Sequence, residues 1–191
     1  FGFNKVTTDQ EEIFNDKDTN SIVIATRHDS HAKYILKALE NGKNVFVEKP
    51  LCINLDELNA INSFFSNKDL RRKPILMVGF NRRFSPLITD LKSYLDKTLS
   101  TKAYIYTCNA GFIDETHWTQ DPLVGGGRLL GEACHFIDLI MFLESSPIAE
   151  IRKTSIPDSK VSPDTFSLQL RFESGSIAVS YTHLTLPTTD R

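Results

Sequence analysis

The sequence has few cysteines and none of the cysteine patterns that build a disulfide framework or a thiolate zinc site. Its three cysteines are Cys52, Cys108 and Cys134, and no two of them form a CxxC pair. Disulfide-rich secreted domains and structural zinc modules use clustered or regularly spaced cysteines. We therefore expect a protein of the reducing cytoplasm, without a disulfide and without a bound metal ion.

Long apolar stretches and runs of like charge are also missing. No stretch approaches the roughly 20 apolar residues that cross a bilayer, and no basic segment followed by an apolar core opens the chain. The 191 residues include 22 Lys and Arg against 24 Asp and Glu, which gives a formal net charge of -2. This balance provides no basic surface for an anionic polymer. We therefore expect neither nucleic acid nor a membrane as a partner.

Both ends of the chain have unusual features. The chain begins with Phe1 rather than Met, and residues 179–188 read VSYTHLTLPT. We expect the chain to begin inside a longer reading frame, and we expect residues 179–191 to be the translation of a sequencing adapter. The alternative for the second segment is an ordinary strand and turn.

Strands and helices alternate in the first 80 residues. Residues 21–26, 44–47 and 74–79 are short apolar runs, typical of parallel strands that are buried on both faces. A helix with a cap at Asp29 or Ser30 and a stop at Gly42 follows the first run, and a helix capped by Asn54 follows the second. Strands joined by such helices predict an α/β fold with one half of a doubly wound parallel sheet.

The pattern changes after residue 80. Helical periodicity covers residues 86–99 and 128–143, whereas residues 102–108 read as a strand. Residues 148–154, 165–172 and 176–179 alternate apolar and polar side chains, as strands with one wet face do. We therefore predict two domains, residues 1–80 and an α+β domain over 81–178 with a mainly antiparallel sheet, followed by the segment 179–191.

Polar residues follow the first two predicted strands. Residues 26–31 read TRHDSH, and Glu48 and Lys49 follow the second strand. Ligands of doubly wound sheets bind outside the carboxyl ends of the strands, and helix N-termini there attract anions. A lysine at this position can take part in proton transfer. The alternatives are a solvated Glu-Lys pair and, for His28 and His31, local turn contacts, which we favour over a metal site.

A third segment places a histidine on an apolar helix after three glycines. Glu132, His135 and Asp138 are spaced by three, so that they share one face of the helix that follows Gly125–127. A histidine beside carboxylates can serve as a general acid or base, although such a histidine is more often a core residue. Trp118, in the loop HWTQDP before the glycines, suits a sugar or a nicotinamide ring, or anchors the loop.

Four linked motifs resemble the Gfo/Idh/MocA family of NAD(P)-dependent sugar and cyclitol oxidoreductases. They are IATxxxxH, GKNVFVEKP, VGFNRRFSP and HWTQDPxxGGGxLxxxxxHFIDL, and the resemblance covers residues 3–178. It implies a partial Rossmann-type domain, a bound NAD or NADP between the two domains, and hydride transfer to or from a sugar, a nucleotide-sugar or a cyclitol. The phrases TRHDSH, GFNRRFSP and GEACHFIDL look closest to members that are fused behind a medium-chain alcohol-dehydrogenase-like half.

The resemblance also implies roles for individual residues. Lys49 matches the lysine beside the reacting hydroxyl, and His135 matches the catalytic acid or base. The positions that would line the cofactor are Thr26, Arg27, His31, Glu48, Lys49, Asn81 and Arg82. The positions that would contact the substrate are Lys49, Trp118, Glu132 and His135. A homo-oligomer is implied as well.

Two departures from the family pattern affect these roles. Gly131 stands where cyclitol dehydrogenases carry an Asp that orients the histidine, which makes inositol a less favoured substrate unless Glu132 replaces the Asp. The glycine-rich GxGxxG turn and the acidic residue that reads the adenosine ribose are absent from this sequence, so NAD and NADP are not distinguished. Two other functions stay open: a cofactor-binding sensor or structural protein, and elimination or glycoside cleavage driven by transient oxidation.

Overall fold

The chain forms two compact units, Phe1–Gly79 (unit 1) and Phe80–Arg191 (unit 2). The computed structural model describes residues 2–67, 73–111, 113–156 and 165–183. Within this part of the chain, no helix is long and apolar enough to cross a membrane.

Unit 1 is a three-stranded parallel sheet with helical connections. Its strands lie in the order β1-β2-β3, and both pairings are parallel. The elements in chain order are α1 (Gln10–Asn15), β1 (Ser21–Ile24), α2 (His31–Glu40), β2 (Asn44–Val47), α3 (Leu55–Ser66) and β3 (Leu76–Val78). This arrangement confirms the predicted α/β fold with a parallel sheet.

The core of unit 1 lies on one face of this sheet. Ile24 and Val47 point into a cluster that also contains Ile35 of α2 and Ile61 of α3. Since both crossover helices pack on this face, the other face of the sheet is open, and Val23 is 72% exposed. The expectation that the strands are buried on both faces is therefore wrong for the residues the structure describes.

Local hydrogen bonds explain where the helices of unit 1 begin. The Asn54 side chain accepts from the backbone N–H of Glu57 at 2.9 Å, which confirms the predicted cap of α3. Ser30 does not cap α2, because its hydroxyl donates to the backbone oxygen of Arg27. The sequence analysis missed α1, which Asp9 caps through the N–H of Glu11. A preferred N-cap residue before two acidic residues is a signal for such a helix.

Unit 2 packs one main helix against a four-stranded sheet. The strand order is β4-β7-β6-β5, with β4 and β7 parallel and the other two pairs antiparallel, which confirms the predicted mainly antiparallel sheet. The elements are α4 (Pro86–Leu95), β4 (Ala103–Asn109), α5 (Cys134–Glu144), β5 (Ile148–Ser155), β6 (Phe166–Phe172) and β7 (Ile177–His183).

The core of unit 2 lies between α5 and one face of its sheet. Phe136 and Ile140 of α5 contact the inward side chains of β6, among them Leu168 and Leu170. The alternation of buried and exposed residues along β6 and β7 follows from this one-sided packing. β7 continues through residues 179–183, which pair with both neighbouring strands; residues 184–191 lie outside the described residues.

Candidate functional site

The carboxyl ends of the three strands in unit 1 meet at one edge of the sheet. Ile24, Val47 and Val78 lie side by side in the parallel register. The pairing continues one residue further, because the N–H of Glu48 donates to the Ile24 oxygen at 2.9 Å and the N–H of Gly79 donates to the Val47 oxygen at 2.7 Å. The chain segments that carry Thr26, Arg27, Glu48 and Lys49 therefore leave the sheet at the same edge.

The turn after β1 is held by its own hydroxyl groups. Ser30 Oγ donates to the backbone oxygen of Arg27 at 2.7 Å and lies 2.6 Å from Thr26 Oγ1. Since the Ser30 proton is used for Arg27, the Thr26 hydroxyl donates to Ser30. Both Thr26 and Arg27 are exposed at this turn. The turn thus presents the Arg27 side chain beside the carboxyl edge of the sheet.

His31 connects the segments that follow β1 and β2. Its ring is 1% exposed, and Nδ1 lies 2.7 Å from the Pro50 oxygen while Nε2 lies 3.1 Å from the Thr26 oxygen. Carbonyl oxygens only accept hydrogen bonds, so the ring acts as the donor. Both nitrogens face backbone oxygens, which makes His31 a structural link between two predicted cofactor-binding segments. Its predicted place in the cofactor lining stays a prediction.

Glu48 and Lys49 follow β2, the middle strand. Glu48 is exposed, Lys49 is half-buried, and the peptide bond between Lys49 and Pro50 is cis. Gly79 lies against this segment: a Cβ added to it would stand 3.2 Å from Glu48 Oε2 and 3.2 Å from Phe46 Cζ. A glycine at this position therefore leaves room beside the Glu48 carboxylate, a feature that the sequence analysis did not identify.

In unit 2, the three glycines lead into a π-helical turn, Leu129–Ala133, which continues directly as α5. Gly126 and Gly127 have φ angles of 75° and 72°, a conformation that favours glycine. Single π-turns within helices occur frequently at functional sites. This turn contains Gly131 and Glu132 and ends two residues before His135, and the sequence analysis predicted an ordinary helix there.

His135 is buried on α5, with 9% of its surface exposed. Its ring meets the ring of Phe80 edge to face, with 6.1 Å between the ring centroids. Asp138, one turn further along the helix, accepts from Arg83: Arg83 Nε lies 2.6 Å from Oδ2, and Nη2 donates to Oδ1. The Asp138 carboxylate therefore pairs with Arg83. This pairing corrects the hypothesis that Asp138 acts as the carboxylate partner of His135.

Arg82 is held by two aromatic side chains of unit 2. Its Nη1 donates to the hydroxyl of Tyr106, and its guanidinium lies 5.1 Å from the centre of the Phe136 ring. The rings of Tyr106 and Phe136 are stacked, with centroids 4.4 Å apart. This arrangement fixes the half-buried guanidinium next to the helix that carries His135.

Glu132 lies within electrostatic reach of the inner side of β4. Burial raises the pKa of the Cys108 thiol, and the charge of Glu132 raises it further. Burial also raises the pKa of the Tyr106 hydroxyl, with Arg82 opposing the shift and Glu132 adding to it. The charge of the half-buried Glu132 therefore acts on both side chains, and the raised pKa of the Cys108 thiol favours its protonated form.

Trp118 belongs to a compact loop that precedes the glycines. It is half-buried and begins a short 3₁₀ turn, Trp118–Gln120, in which the His117 side chain accepts from the N–H of Thr119. A Cβ on Gly125 would overlap the backbone of Thr119, so this turn packs directly onto the first of the three glycines. Trp118 thus occupies a fixed loop of unit 2.

The structure groups the predicted residues by unit. Unit 1 brings Thr26, Arg27, His31, Glu48 and Lys49 to one sheet edge, whereas unit 2 places Asn81, Arg82, Glu132 and His135 on or next to α5. The sequence analysis missed the roles of Phe80, Tyr106 and the Arg83–Asp138 pair, because contacts between distant segments leave no local pattern. Among the residues described, no three His, Cys, Asp or Glu side chains are arranged to hold a metal ion.

The parallel sheet of unit 1, with polar residues at its carboxyl edge, defines a nucleotide-binding unit of the Rossmann type. Residues 1–80 match the family model GFO_IDH_MocA, which describes an oxidoreductase family with an NAD-binding Rossmann fold. This match supports the resemblance to the Gfo/Idh/MocA family that the sequence motifs carry.

Relatives support the same family over more of the chain. The scyllo-inositol 2-dehydrogenase (NAD(+)) of Bacillus subtilis (strain 168) is 31% identical over 152 residues, which are 78% of this chain and 42% of the relative. The levoglucosan dehydrogenase of Pseudarthrobacter phenanthrenivorans is 30% identical over 167 residues, with 83% of this chain and 42% of the relative covered. The chain therefore spans less than half the length of these two relatives.

A solved structure shows the same fold. The crystal structure of an oxidoreductase domain protein from Kribbella flavida matches with a TM-score of 0.82 at 25% identity. The match covers 96% of this chain and 53% of that chain.

Proposed function

We propose that the protein containing this chain is an NAD(P)-dependent oxidoreductase that transfers a hydride between the nicotinamide and a carbinol carbon of a sugar, a nucleotide-sugar or a cyclitol. The observation that carries the proposal is the half-buried Lys49 directly after the middle strand of a parallel sheet, within residues that match an NAD-binding oxidoreductase family. Lysine there is in position to act on a ligand bound at the carboxyl edge. The relatives named as inositol and levoglucosan dehydrogenases support a polyhydroxylated substrate.

The carboxyl edge of unit 1 fits a dinucleotide cofactor. The absence of a Cβ at Gly79 leaves space beside Glu48, the exposed Arg27 guanidinium provides donors for polar groups of a ligand, and the Thr26 hydroxyl oxygen provides an acceptor. We assign the binding of NAD or NADP to Thr26, Arg27, His31, Glu48 and Lys49 of unit 1, together with Asn81 and Arg82 of unit 2. The bound nicotinamide supplies the hydride acceptor or donor.

Oxidation of a carbinol releases a proton as well as a hydride. When the hydride leaves the carbon, the hydroxyl proton must pass to a base. We assign this role to Lys49, which orients the hydroxyl, and to His135, which takes the proton and returns it in the reverse direction. Trp118 and Glu132 complete the substrate contacts in this proposal.

Gly131 favours one alternative, in which the protein binds the cofactor without net dehydrogenase activity, as a sensor or a structural partner. The half-buried Glu132, next to Gly131 in the sequence, is the side chain available to replace the missing carboxylate. Cofactor binding without turnover in the intact protein would support this alternative, and turnover without net redox change would indicate elimination or glycoside cleavage.

The intact protein is also proposed to be a cytoplasmic homo-oligomer. Cys52, Cys108 and Cys134 form no disulfide in the described part of the chain, which suits a reducing compartment. The open face of the unit 2 sheet carries exposed apolar residues, including Ile105, and such a face is suited to a second copy of the chain. The motifs further suggest fusion to a medium-chain alcohol-dehydrogenase-like half, which sequencing of the parent gene tests.

The first experiment compares the full-length protein with its Lys49→Ala variant. Titration with NADH and NADPH measures binding by fluorescence, and turnover is measured on nucleotide-sugars, cyclitols and anhydrosugars. We expect Lys49→Ala to lower kcat by about 100-fold or more, while cofactor binding, to which six other residues are also assigned, survives with a Kd within about 10-fold of wild type. Lys17→Ala, at an exposed position of unit 1, is the matched control. A protein that binds neither cofactor would refute the proposal.

A further inference from the structure

Three side chains near the start of unit 2 contact three side chains of α5 in the same order. Phe80 meets His135, Arg82 lies over Phe136, and Arg83 pairs with Asp138. The segment that carries Asn81 and Arg82 is thus joined to the helix that carries His135 at three points within 1 turn of that helix.

The Arg83–Asp138 contact is the polar one of these three. The Asp138 side chain is 7% exposed, and both of its oxygens accept from the same guanidinium, so that the pair has a defined geometry. The ring contact of Phe80 and the stacking of Arg82 on Phe136 alone permit sliding, whereas a bidentate pair fixes both distance and orientation. Removal of one partner leaves a buried charge without its counter-ion, which displaces the surrounding groups.

We propose that Arg83 and Asp138 are a positioning pair that holds His135 in register with Asn81 and Arg82. The inference rests on the proposed function, in which His135 handles the substrate proton. Arg83 and Asp138 contact neither substrate nor cofactor in this role; they act through α5. A displacement of a reacting group by about 1 Å can lower the rate by about 100-fold, so a loosened pair reduces kcat more than it affects binding.

Steady-state kinetics of the full-length protein test the pair. Arg83→Gln and Asp138→Asn are each expected to lower kcat by about 10- to 100-fold, with the KM for the cofactor within about threefold of wild type. Arg83→Lys retains the charge but not the bidentate geometry, and is expected to fall between wild type and Arg83→Gln. Asp96→Asn, which breaks the pair between Lys92 of α4 and the exposed Asp96 in the same unit, is the control and is expected to retain wild-type kcat.

A second measurement keeps the inference separate from the proposed activity. In NMR spectra of the ring nitrogens, assigned with His135→Gln, we expect the His135 signals to shift or broaden in Arg83→Lys and Asp138→Asn but not in Asp96→Asn. If wild type turns over no substrate, the proposed function fails, and the NMR result alone decides about the pair. Unchanged His135 signals, or unchanged kcat accompanied only by a lower Tm, would overturn the inference. Either result would show that the pair stabilises the fold without positioning His135.

Discussion

At the scale of single residues, His31 shows how one buried side chain joins two segments of a ligand-binding edge. The residue lies at the start of α2, and its two ring nitrogens face the backbone oxygens of Thr26 and Pro50. The sequence indicated that His31 lies near a strand end, but its partners are 5 and 19 residues away. Local spacing could not predict the second contact, because it depends on how β1 and β2 align.

The His31→Ala substitution tests this structural role. It removes a fully buried ring and leaves a buried backbone oxygen without its donor, so we expect the free energy of unfolding to fall by about 3 kcal/mol. Urea denaturation followed by circular dichroism measures the change. Lys33→Ala, at an exposed position of the same helix, is the control and should lie within about 0.5 kcal/mol of wild type. Equal stability of the two variants would contradict the assigned role.

At the scale of elements, a buried carboxylate attaches the end of α5 to the unit 2 sheet. Glu144 accepts from the Tyr104 hydroxyl at 2.8 Å and from Ser174 Oγ at 2.6 Å, and Lys102 Nζ lies 3.8 Å away. Burial by itself would raise the pKa of Glu144, but these groups outweigh burial and hold the pKa below the ordinary value of 4.5. The carboxylate therefore stabilises the folded state while it is ionised.

This arrangement predicts acid sensitivity. Since the folded-state pKa lies below the unfolded value, the contribution of Glu144 is fully present above the unfolded pKa and is lost as the pH falls through the folded one. We expect Glu144→Gln to reduce the free energy of unfolding by about 2 kcal/mol at pH 7 and to flatten its dependence on pH below about 4.5. Urea titrations at several pH values measure both effects. A variant with an unchanged pH dependence would disprove the assignment.

The same helix illustrates what periodicity can and cannot predict. The apolar spacing over residues 128–143 correctly indicated a helix, and the alternating segments correctly indicated strands with one wet face. Periodicity did not reveal the π-turn Leu129–Ala133, which changes the direction of Glu132 relative to a regular helix. Nor did periodicity show that Asp138 pairs with Arg83, since the two residues are 55 positions apart in the sequence.

At the scale of the whole molecule, the open face of the unit 2 sheet is the surface through which we propose that two copies of the chain associate. Ile105 is 84% exposed and Ile177 is 51% exposed on neighbouring strands of this face. On the same face, Arg152 and Arg171 both pair with Glu150. An apolar area beside charges that are paired within one copy suits a second copy of the same surface.

A charge placed in this face should break the oligomer. We expect Ile105→Lys in the full-length protein to shift the mass toward the monomer, because two copies would then bury like charges against each other. Light scattering after gel filtration measures the mass. Leu99→Lys, at a fully exposed position outside the sheet, should leave it unchanged. A wild-type monomer, or an Ile105→Lys variant with wild-type mass, would exclude this face as the interface.

The sequence by itself determined the two kinds of sheet and most helix and strand positions, and it carried the resemblance to an NAD-binding Rossmann family, because these depend on local motifs, caps and hydrophobic periodicity. The two-sided burial expected for unit 1 was wrong, since apolar runs do not show on which face the crossover helices pack. Tertiary structure alone decided that His31 joins two strand ends, that Gly79 makes room beside Glu48 and that Arg83 holds Asp138. These contacts join residues distant in sequence, and their geometry is set by strand register and helix packing rather than by local pattern.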